Sequence, residues 1–514
     1  DKTRQNFSEV KMLNLAVRNT GKLIREKSKS DNIRLGRLFT KKDTARLIAD
    51  MIPLNKEKTT YTVLDIGAGT GILSATVIEH LCKNMPKLEQ IFLTCYEDNA
   101  DFCDMLEDNL ERIRKKCRHD YAVKLFVTVY RENYLTEAKK HYTVTFFDTV
   151  PDKYDIVISN PPTDLAEKHS EDADGVGGIS QLKINKAFLF LKNACDNVEN
   201  DGVLAIILPT TYSSAAALAP LRKEVSEKLA LSSVHLFIGK QKNENRAVPL
   251  KKSFIALYKK TQAPETVSIT TSYDSGKYRT ELGSLPYGFI VDELTGALTL
   301  PKSKEDTKIV KYISSFPETL DSLGLKMSTG LIIDSKCEGL LFTEPNDATV
   351  PLIRTQCINN GQIKFPQPIK RQYVAPVNPS LIQKNKNMIL IKRIPAKSDE
   401  RFLNAAVYLA AELPQYKYIS THNKLNFIDT KDKTAEMPSR LVFGLFALLN
   451  STVYDRYISI VSKSRQINSK EMKNLPLPAQ NVIENIGMRL MSIRQTNVKA
   501  CDSIVNPTLH IIEK

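Results

Sequence analysis

Val63-Leu64-Asp65-Ile66-Gly67-Ala68-Gly69-Thr70-Gly71-Ile72-Leu73 is the stretch that decides the fold. Val63 to Ile66 reads as a buried parallel strand. Three glycines at alternate positions then let the main chain approach a ligand, and Ile72 to Leu81 resumes with apolar residues at helical spacing. Strand, turn and helix make one unit of a doubly wound α/β sheet. A glycine turn alone is common, so its flanks carry the argument. About 30 residues after Asp65 a second strand, Ile91 to Tyr96, ends in Glu97-Asp98, where an acidic side chain accepts both hydroxyls of a ribose. A third strand, Leu125 to Tyr130, runs into the turn Arg131-Glu132-Asn133-Tyr134-Leu135.

Further along, the apolar strand Tyr154 to Ser159 delivers Asn160-Pro161-Pro162. The amino group of a nucleobase or an amide is a poor nucleophile because its lone pair is delocalised. The side-chain oxygen of Asn160 and the carbonyl of Pro161 can each accept one amino hydrogen, an interaction that strengthens as the nitrogen becomes tetrahedral. The prolines have no N–H to point into the pocket, which keeps it rich in acceptors. The glycine spacing departs from the dinucleotide fingerprint, so S-adenosyl-L-methionine fits better than NAD.

With these motifs in this order, the chain resembles the gamma-class DNA adenine-N6 methyltransferases of restriction-modification systems over nearly its whole length. The resemblance implies an S-adenosylmethionine-dependent methyltransferase (Rossmann-like) domain followed by a mixed α+β target-recognition domain, acting on an adenine flipped out of double-stranded DNA. It implies catalytic roles for Asn160, Pro161, Pro162 and Thr163 and cofactor contacts from Phe39, Thr40, Asp65, Gly67, Gly69, Gly71, Glu97, Asp98, Asn133, Tyr134 and Asn160. Gly36 to Ala45 is similar to the family's N-terminal motif, with Lys41 where the family has Pro; Thr40 and Asp43 have the spacing of a capping box, with Leu47, Ile48 and Met51 as the apolar face of the helix. The departure is Thr163, where the family has an aromatic ring that stacks on the base, worth on the order of 1–3 kcal/mol. The late turn Arg246 to Leu250 holds no ring either. A ring from elsewhere, a weakened activity, or missing residues around the polar, acidic loop from Thr163 to Gly178 would each account for this.

Net charge is +15 over 514 residues, which points to a polyanionic partner. Residues 351–400 concentrate it: Arg354, Lys364, Lys370, Arg371, Lys384, Lys386, Lys392, Arg393 and Lys397 stand against only Asp399 and Glu400. Short β-like runs (349–354, 362–365 and 388–394) surround this cluster, as in a loop-rich domain facing a groove. Lys370, Arg371, Lys392 and Arg393 are the expected DNA contacts there. After a buried helix interrupted at Asn450-Ser451-Thr452, Arg465, Gln466 and Asn468 have the chemistry for phosphate or base-edge contacts. The domain boundary is expected near 262, after the strand Phe254 to Tyr258. This gives a catalytic domain over residues 1–262 and a target-recognition domain with C-terminal helices over residues 263–514.

No apolar run approaches 18 residues, and eight scattered cysteines without Cys-x-x-Cys pairs predict neither disulfides nor zinc. These features, with no secretory signal at the start, predict a cytoplasmic, DNA-associated bacterial protein. No nuclease constellation precedes the motifs, so cleavage would fall to a separate restriction endonuclease. Two other readings use the same motif: a methyltransferase for RNA or for a protein glutamine, and a catalytically weakened relative that binds DNA.

Overall fold

The structure is a computed structural model describing residues 11–26, 39–136, 153–164, 185–238, 252–273, 276, 278–395, 401–462 and 466–511. It divides into two compact units, Asp1–Lys304 and Glu305–Lys514.

The first unit is built on β1 (Thr60–Ile66), β2 (Gln90–Tyr96), β3 (Lys124–Tyr130), β4 (Tyr154–Ser159), β5 (Val198–Pro209), β6 (Ala230–Phe237), β7 (Ser253–Lys259), β8 (Thr266–Ser272) and β9 (Arg279–Pro286), in the order β3-β2-β1-β4-β5-β7-β6-β8-β9. β1 to β5 run parallel through the neighbours β3-β2-β1-β4-β5, and β7 is antiparallel to both β5 and β6. The strand–turn–helix reading of Val63 to Leu81 holds: Gly71 caps α3 (Ile72–Asn84), which follows α1 (Met12–Glu26) and α2 (Lys42–Met51). These helices and α4 (Ala100–Tyr121) bury one face of the sheet, packing Ile48, Val77, Ile78 and Leu110 on Val63, Leu93 and Ile156. On the other face, α5 (Lys186–Ala194) buries Phe188 and Phe190. The sheet is the doubly wound methyltransferase arrangement that the resemblance implied.

Strand order reverses between β1 and β4, and ligands of open α/β sheets bind in the crevice outside the strand ends at such a switch point. Ile66 is in register with Ser159, and Ser159 Oγ donates to the Ile66 carbonyl at 2.7 Å. The glycine loop follows Ile66 and Asn160 follows Ser159, 93 residues later, so the two leave the sheet side by side.

The expected boundary at 262 does not match the chain's compact units. β8 pairs in parallel with β6 and antiparallel with β9, so the sheet continues beyond β7 and the unit runs to Lys304. Val267 and Ile269 are buried on β8, where they alternate with exposed polar residues at the start of the strand.

The second unit is mixed α+β. Its strands β10 (Leu325–Thr329), β11 (Leu341–Phe342), β12 (Val350–Ile353), β13 (Ile358–Asn359), β14 (Gln362–Ile363), β15 (Tyr373–Val374), β16 (Gln383–Lys384), β17 (Met388–Lys392), β18 (Ala405–Tyr408), β19 (Tyr418–Thr421) and β20 (Leu425–Thr430) form two sheets, β10-β20-β17-β18-β14-β13 and β11-β15-β12-β19-β16. Helix α6 (Ala219–Lys228) belongs to the first unit; α7 (Lys304–Ile313) starts at the division, and α8 (Ser439–Asn450), α9 (Thr452–Val461), α10 (Gln480–Ile493) and α11 (Val498–Thr508) belong to the second. The apolar run after Pro438 is α8 and α9, broken where expected: the Ser451 side chain accepts from Tyr454 N–H and starts a new helix. α8 and α10 touch backbone to backbone, because a Cβ on Gly487 would lie 1.8 Å from the Arg440 carbonyl oxygen.

Candidate functional site

A cleft opens at the switch point. Phe39, Gly67, Gly69, Glu97, Asp98, Asn133, Tyr134 and Asn160 to Thr163 line it, which brings together most of the residues singled out from the sequence. Thr40, Asp65 and Gly71 are not in its wall. Asp65 is fully buried, and one of its oxygens accepts from Ser74 N–H at 3.1 Å and Ser74 Oγ at 2.5 Å, tying β1 to the first turn of α3; its other oxygen has no partner. Burial pushes the Asp65 carboxyl up to about 7, against the lowering effect of Ser74. Gly71 is left-handed at φ 82°, and a Cβ there would come within 2.7 Å of Leu106.

Glu97 is the polar centre of the cleft. One oxygen accepts from Gly69 N–H at 2.8 Å and the other from Asn99 N–H at 3.0 Å, so this carboxylate shapes the glycine loop as well as facing the ligand space. Burial raises its pKa, while the N–H donors of Asn99 and Gly69 oppose that shift. Asn133 donates to Asp98 at 3.2 Å and accepts from Leu135 N–H at 2.9 Å. Tyr134 is buried, edge-on to Tyr96 at 5.4 Å, with its hydroxyl on Asn197 at 2.5 Å.

Sequence reasoning missed the support behind the loop. Thr70 Oγ1 meets Thr20 Oγ1 of α1 at 2.6 Å, and the Thr70 carbonyl accepts from Asn109 of α4 at 2.9 Å. Isolated polar residues in helices carry no motif that would announce this. Tyr96, Phe102, Lys186 and Phe190 also line the cleft without having been singled out.

These residues fit S-adenosyl-L-methionine. The positive φ of Gly67 (72°) and Gly69 (56°) is a conformation that other residues rarely adopt, and Phe190 and Phe39 lie 3.5 and 3.6 Å from where a Cβ would stand. Glu97 and Asp98 offer acceptors to ribose hydroxyls, and the ring of Phe39 together with Tyr134 offers apolar surface.

Asn160 stands at the end of β4 with its Nδ2 donating to Thr40 Oγ1 at 3.0 Å. That leaves the side-chain oxygen as an acceptor in the cleft. The contact also corrects the expected capping box. The N-cap of α2 is Lys41, whose side chain has no acceptor to offer the first turn, and the Thr40 hydroxyl instead accepts from a residue 120 positions away. Thr163 is exposed, and its carbonyl accepts from Asn185 at 2.8 Å. Gly36 to Leu38, the loop residues 165–178 and the turn 246–250 lie outside the described residues.

In the second unit the basic cluster separates into two kinds of residue. Arg354 is buried, bidentate to Asp334 at 2.9 and 3.1 Å, and donates to the Arg371 carbonyl at 2.7 Å. Lys386 is buried with its ammonium on Thr430 Oγ1 and the Asp432 and Ala435 carbonyls. Both are internal struts. Lys370 and Arg371 are exposed just before β15, while Lys392 and Arg393 are half-buried at the end of β17. Gln466 and Asn468 flank the buried Ile467, whose N–H donates to the Arg393 carbonyl at 2.9 Å and whose carbonyl accepts from Asn426 at 2.9 Å. Arg465 and Lys397 lie outside the described residues. All eight cysteines are free and buried. Among the described residues, no group of three His, Cys, Asp or Glu could hold a metal, and no helix is long and apolar enough to cross a membrane.

Residues 74–243 match the Eco57I restriction-modification methylase family. The type II methyltransferase M.PstI of Providencia stuartii is 23% identical over 496 residues, covering 93% of this chain and 94% of that protein. M.BsuBI of Bacillus subtilis, also a type II methyltransferase, is 23% identical over 477 residues and 90% of each chain. Among solved structures, the type IIL restriction-modification enzyme MmeI in complex with DNA aligns over 95% of this chain and 76% of its own, at 11% identity and a TM-score of 0.42. The resemblance to restriction-modification methyltransferases drawn from the motifs is borne out.

Proposed function

From this kinship we propose that the chain is a site-specific DNA methyltransferase, moving a methyl group from S-adenosyl-L-methionine to N6 of an adenine flipped out of double-stranded DNA. It would serve as the modification component beside a separate restriction endonuclease, or as an orphan methylase in the bacterial cytoplasm. The observation that carries the reading is the Asn160 carboxamide, presented to the cleft beside the glycine loop with its nitrogen already used by Thr40.

Bound S-adenosylmethionine supplies an electrophilic methyl group. The chain's own residues do the rest. Asn160 Oδ1 and the Pro161 carbonyl accept the two hydrogens of an adenine N6 and draw its lone pair out of the ring plane, an interaction that grows toward the transition state. Glu97 and Asp98 would hold the cofactor's ribose and Asn133 would face its adenine edge. Lys370, Arg371, Lys392 and Arg393 in the second unit are proposed to meet DNA, with Gln466 and Asn468 beside the last two. The test is to incubate the protein with S-adenosylmethionine and, separately, duplex DNA, RNA and a glutamine-bearing protein, then digest each and look for methylated products by mass spectrometry. N6-methyladenine in the DNA alone supports the reading; methylated RNA or glutamine in its place overturns it.

A second reading, a weakened relative that binds DNA, is favoured by Thr163, which puts a small polar side chain at the cleft mouth. On that reading Thr163→Phe restores a stacking surface and raises turnover; on the first, it leaves turnover unchanged or lowers it.

A further inference from the structure

We infer that Arg393 is a preset guanine reader and that Gln466 is the residue that aims it, rather than a base reader in its own right. The inference rests on the reading of the chain as a site-specific DNA methyltransferase. A guanidinium opposite an amide nitrogen would set donor against donor, so the Gln466 side chain turns its oxygen toward Arg393. It then accepts from Arg393 Nε at 3.0 Å and from Nη2 at 2.6 Å. Nη1 reaches the Asn423 carbonyl at 3.4 Å. These contacts engage three of the five guanidinium hydrogens, on Nε, Nη2 and Nη1. One hydrogen on Nη1 and one on Nη2 remain, and paired end-on they match the O6 and N7 acceptors of guanine in the major groove.

The pair is held on both sides. Arg393 N–H donates to the Lys424 carbonyl at 2.9 Å, its own carbonyl accepts from Ile467 N–H at 2.9 Å, and buried Asn426 holds the Ile467 carbonyl. The charge of Arg393 is met differently from that of four other arginines of the second unit. Arg354, Arg401, Arg440 and Arg456 each meet a carboxylate, on Asp334, Asp455, Glu484 and Asp306. Among the described residues Arg393 is clamped by the neutral oxygens of Gln466 and Asn423, so its orientation is fixed while its charge is left for an acceptor from outside. A held guanidinium loses less rotamer freedom on binding and discriminates more sharply between one acceptor geometry and another. A phosphate oxygen pair has the same fork chemistry, and the test separates it from guanine.

The full chain is used to select from a pool of duplexes with a randomised core, and the bound fraction is sequenced. Arg393→Gln, Arg393→Lys and Gln466→Ala are put through the same selection, with thermal melting to verify that each folds. The expected result is a wild-type consensus in which one guanine loses discrimination by roughly 5- to 150-fold in both Arg393 variants, the other positions being kept. Gln466→Ala relaxes that same guanine. If Arg393 meets phosphate instead, the consensus survives unchanged and the slope of log affinity against log salt falls by about 0.9, which overturns the inference. Relaxation at a different position in Gln466→Ala also overturns it, because Gln466 would then be reading a base itself. A wild-type chain that selects no consensus sinks the reading of the chain as site-specific, and the inference with it.

Discussion

Each residue at the switch point does a separable job, and substitutions should separate them. Asn160 acts on a nitrogen whose charge changes only during transfer, so Asn160→Ala should lower turnover by on the order of 10²–10³-fold while DNA affinity changes little. Single-turnover methylation alongside a gel-shift titration reads both; near-normal turnover would remove Asn160 from the mechanism. Asp65 makes a different prediction, about pH. Its carboxyl is pushed from an ordinary 3.8 to about 7 by burial. Between those values the folded chain keeps this proton and the unfolded chain has lost it, so this group's contribution to stability falls as pH rises through the window and levels off above it. Asp65→Asn imitates the protonated form. Calorimetric melting at about pH 5 and about pH 8 should show the variant gaining relative to wild type at the higher pH. A variant that loses ground as pH rises would mean that the ionised carboxylate is the form the loop requires.

At the scale of elements, legibility followed burial. β1 and β4 are buried over most of their length and carry the apolar runs Val63-Leu64 and Ile156-Val157-Ile158, and the Gly and Asn-Pro-Pro punctuation fixes where they end. β8, Thr266–Ser272, mixes threonine and serine with its two apolar residues, and only its pairing to β6 and β9 makes it a strand. The start of α2 misled for a related reason. Thr40 and Asp43 have capping-box spacing, but spacing along the chain says nothing of Asn160, which arrives from across the sheet and takes the hydroxyl. In the second unit, charge counted along the sequence could not separate Arg354 and Lys386, which support loops from inside, from Lys370 and Arg371 on the surface. The Thr40 contact predicts that Thr40→Val loosens the Asn160 amide and lowers kcat by about 2- to 12-fold, the worth of one net hydrogen bond. S-adenosylmethionine affinity by calorimetry should be unchanged and Thr40→Ser should recover the rate. A loss of cofactor affinity with kcat intact would place Thr40 on the cofactor instead.

For the whole molecule, the end of the sheet at β9 rather than β7 decides where the chain can be cut. A chain ending at residue 262 removes the strand that pairs with β6 and leaves an open edge beside a buried face, a template for aggregation. A chain ending at Lys304 keeps all nine strands. It should melt cooperatively and bind S-adenosylmethionine like the full chain, while losing site-specific DNA binding; sequence-specific retention by this fragment would move recognition out of the second unit. In the full chain, Lys370→Ala with Arg371→Ala should lower the slope of log DNA affinity against log salt by about 0.9 for each phosphate that is no longer neutralised, with no change in melting temperature. Arg354→Ala should do the reverse. It leaves Asp334 with only His422 beside it and should lower stability by about 2–3 kcal/mol, less than the roughly 3–5 of a fully buried pair because Asp334 is 40% exposed. Its salt slope should stay as in wild type, since a guanidinium already held by a carboxylate and a backbone carbonyl has little charge left to offer a phosphate. Denaturant melts and salt titrations on these variants sort the basic residues into those that hold the second unit together and those that meet DNA. A drop in salt slope for Arg354→Ala without a loss of stability would reverse the assignment.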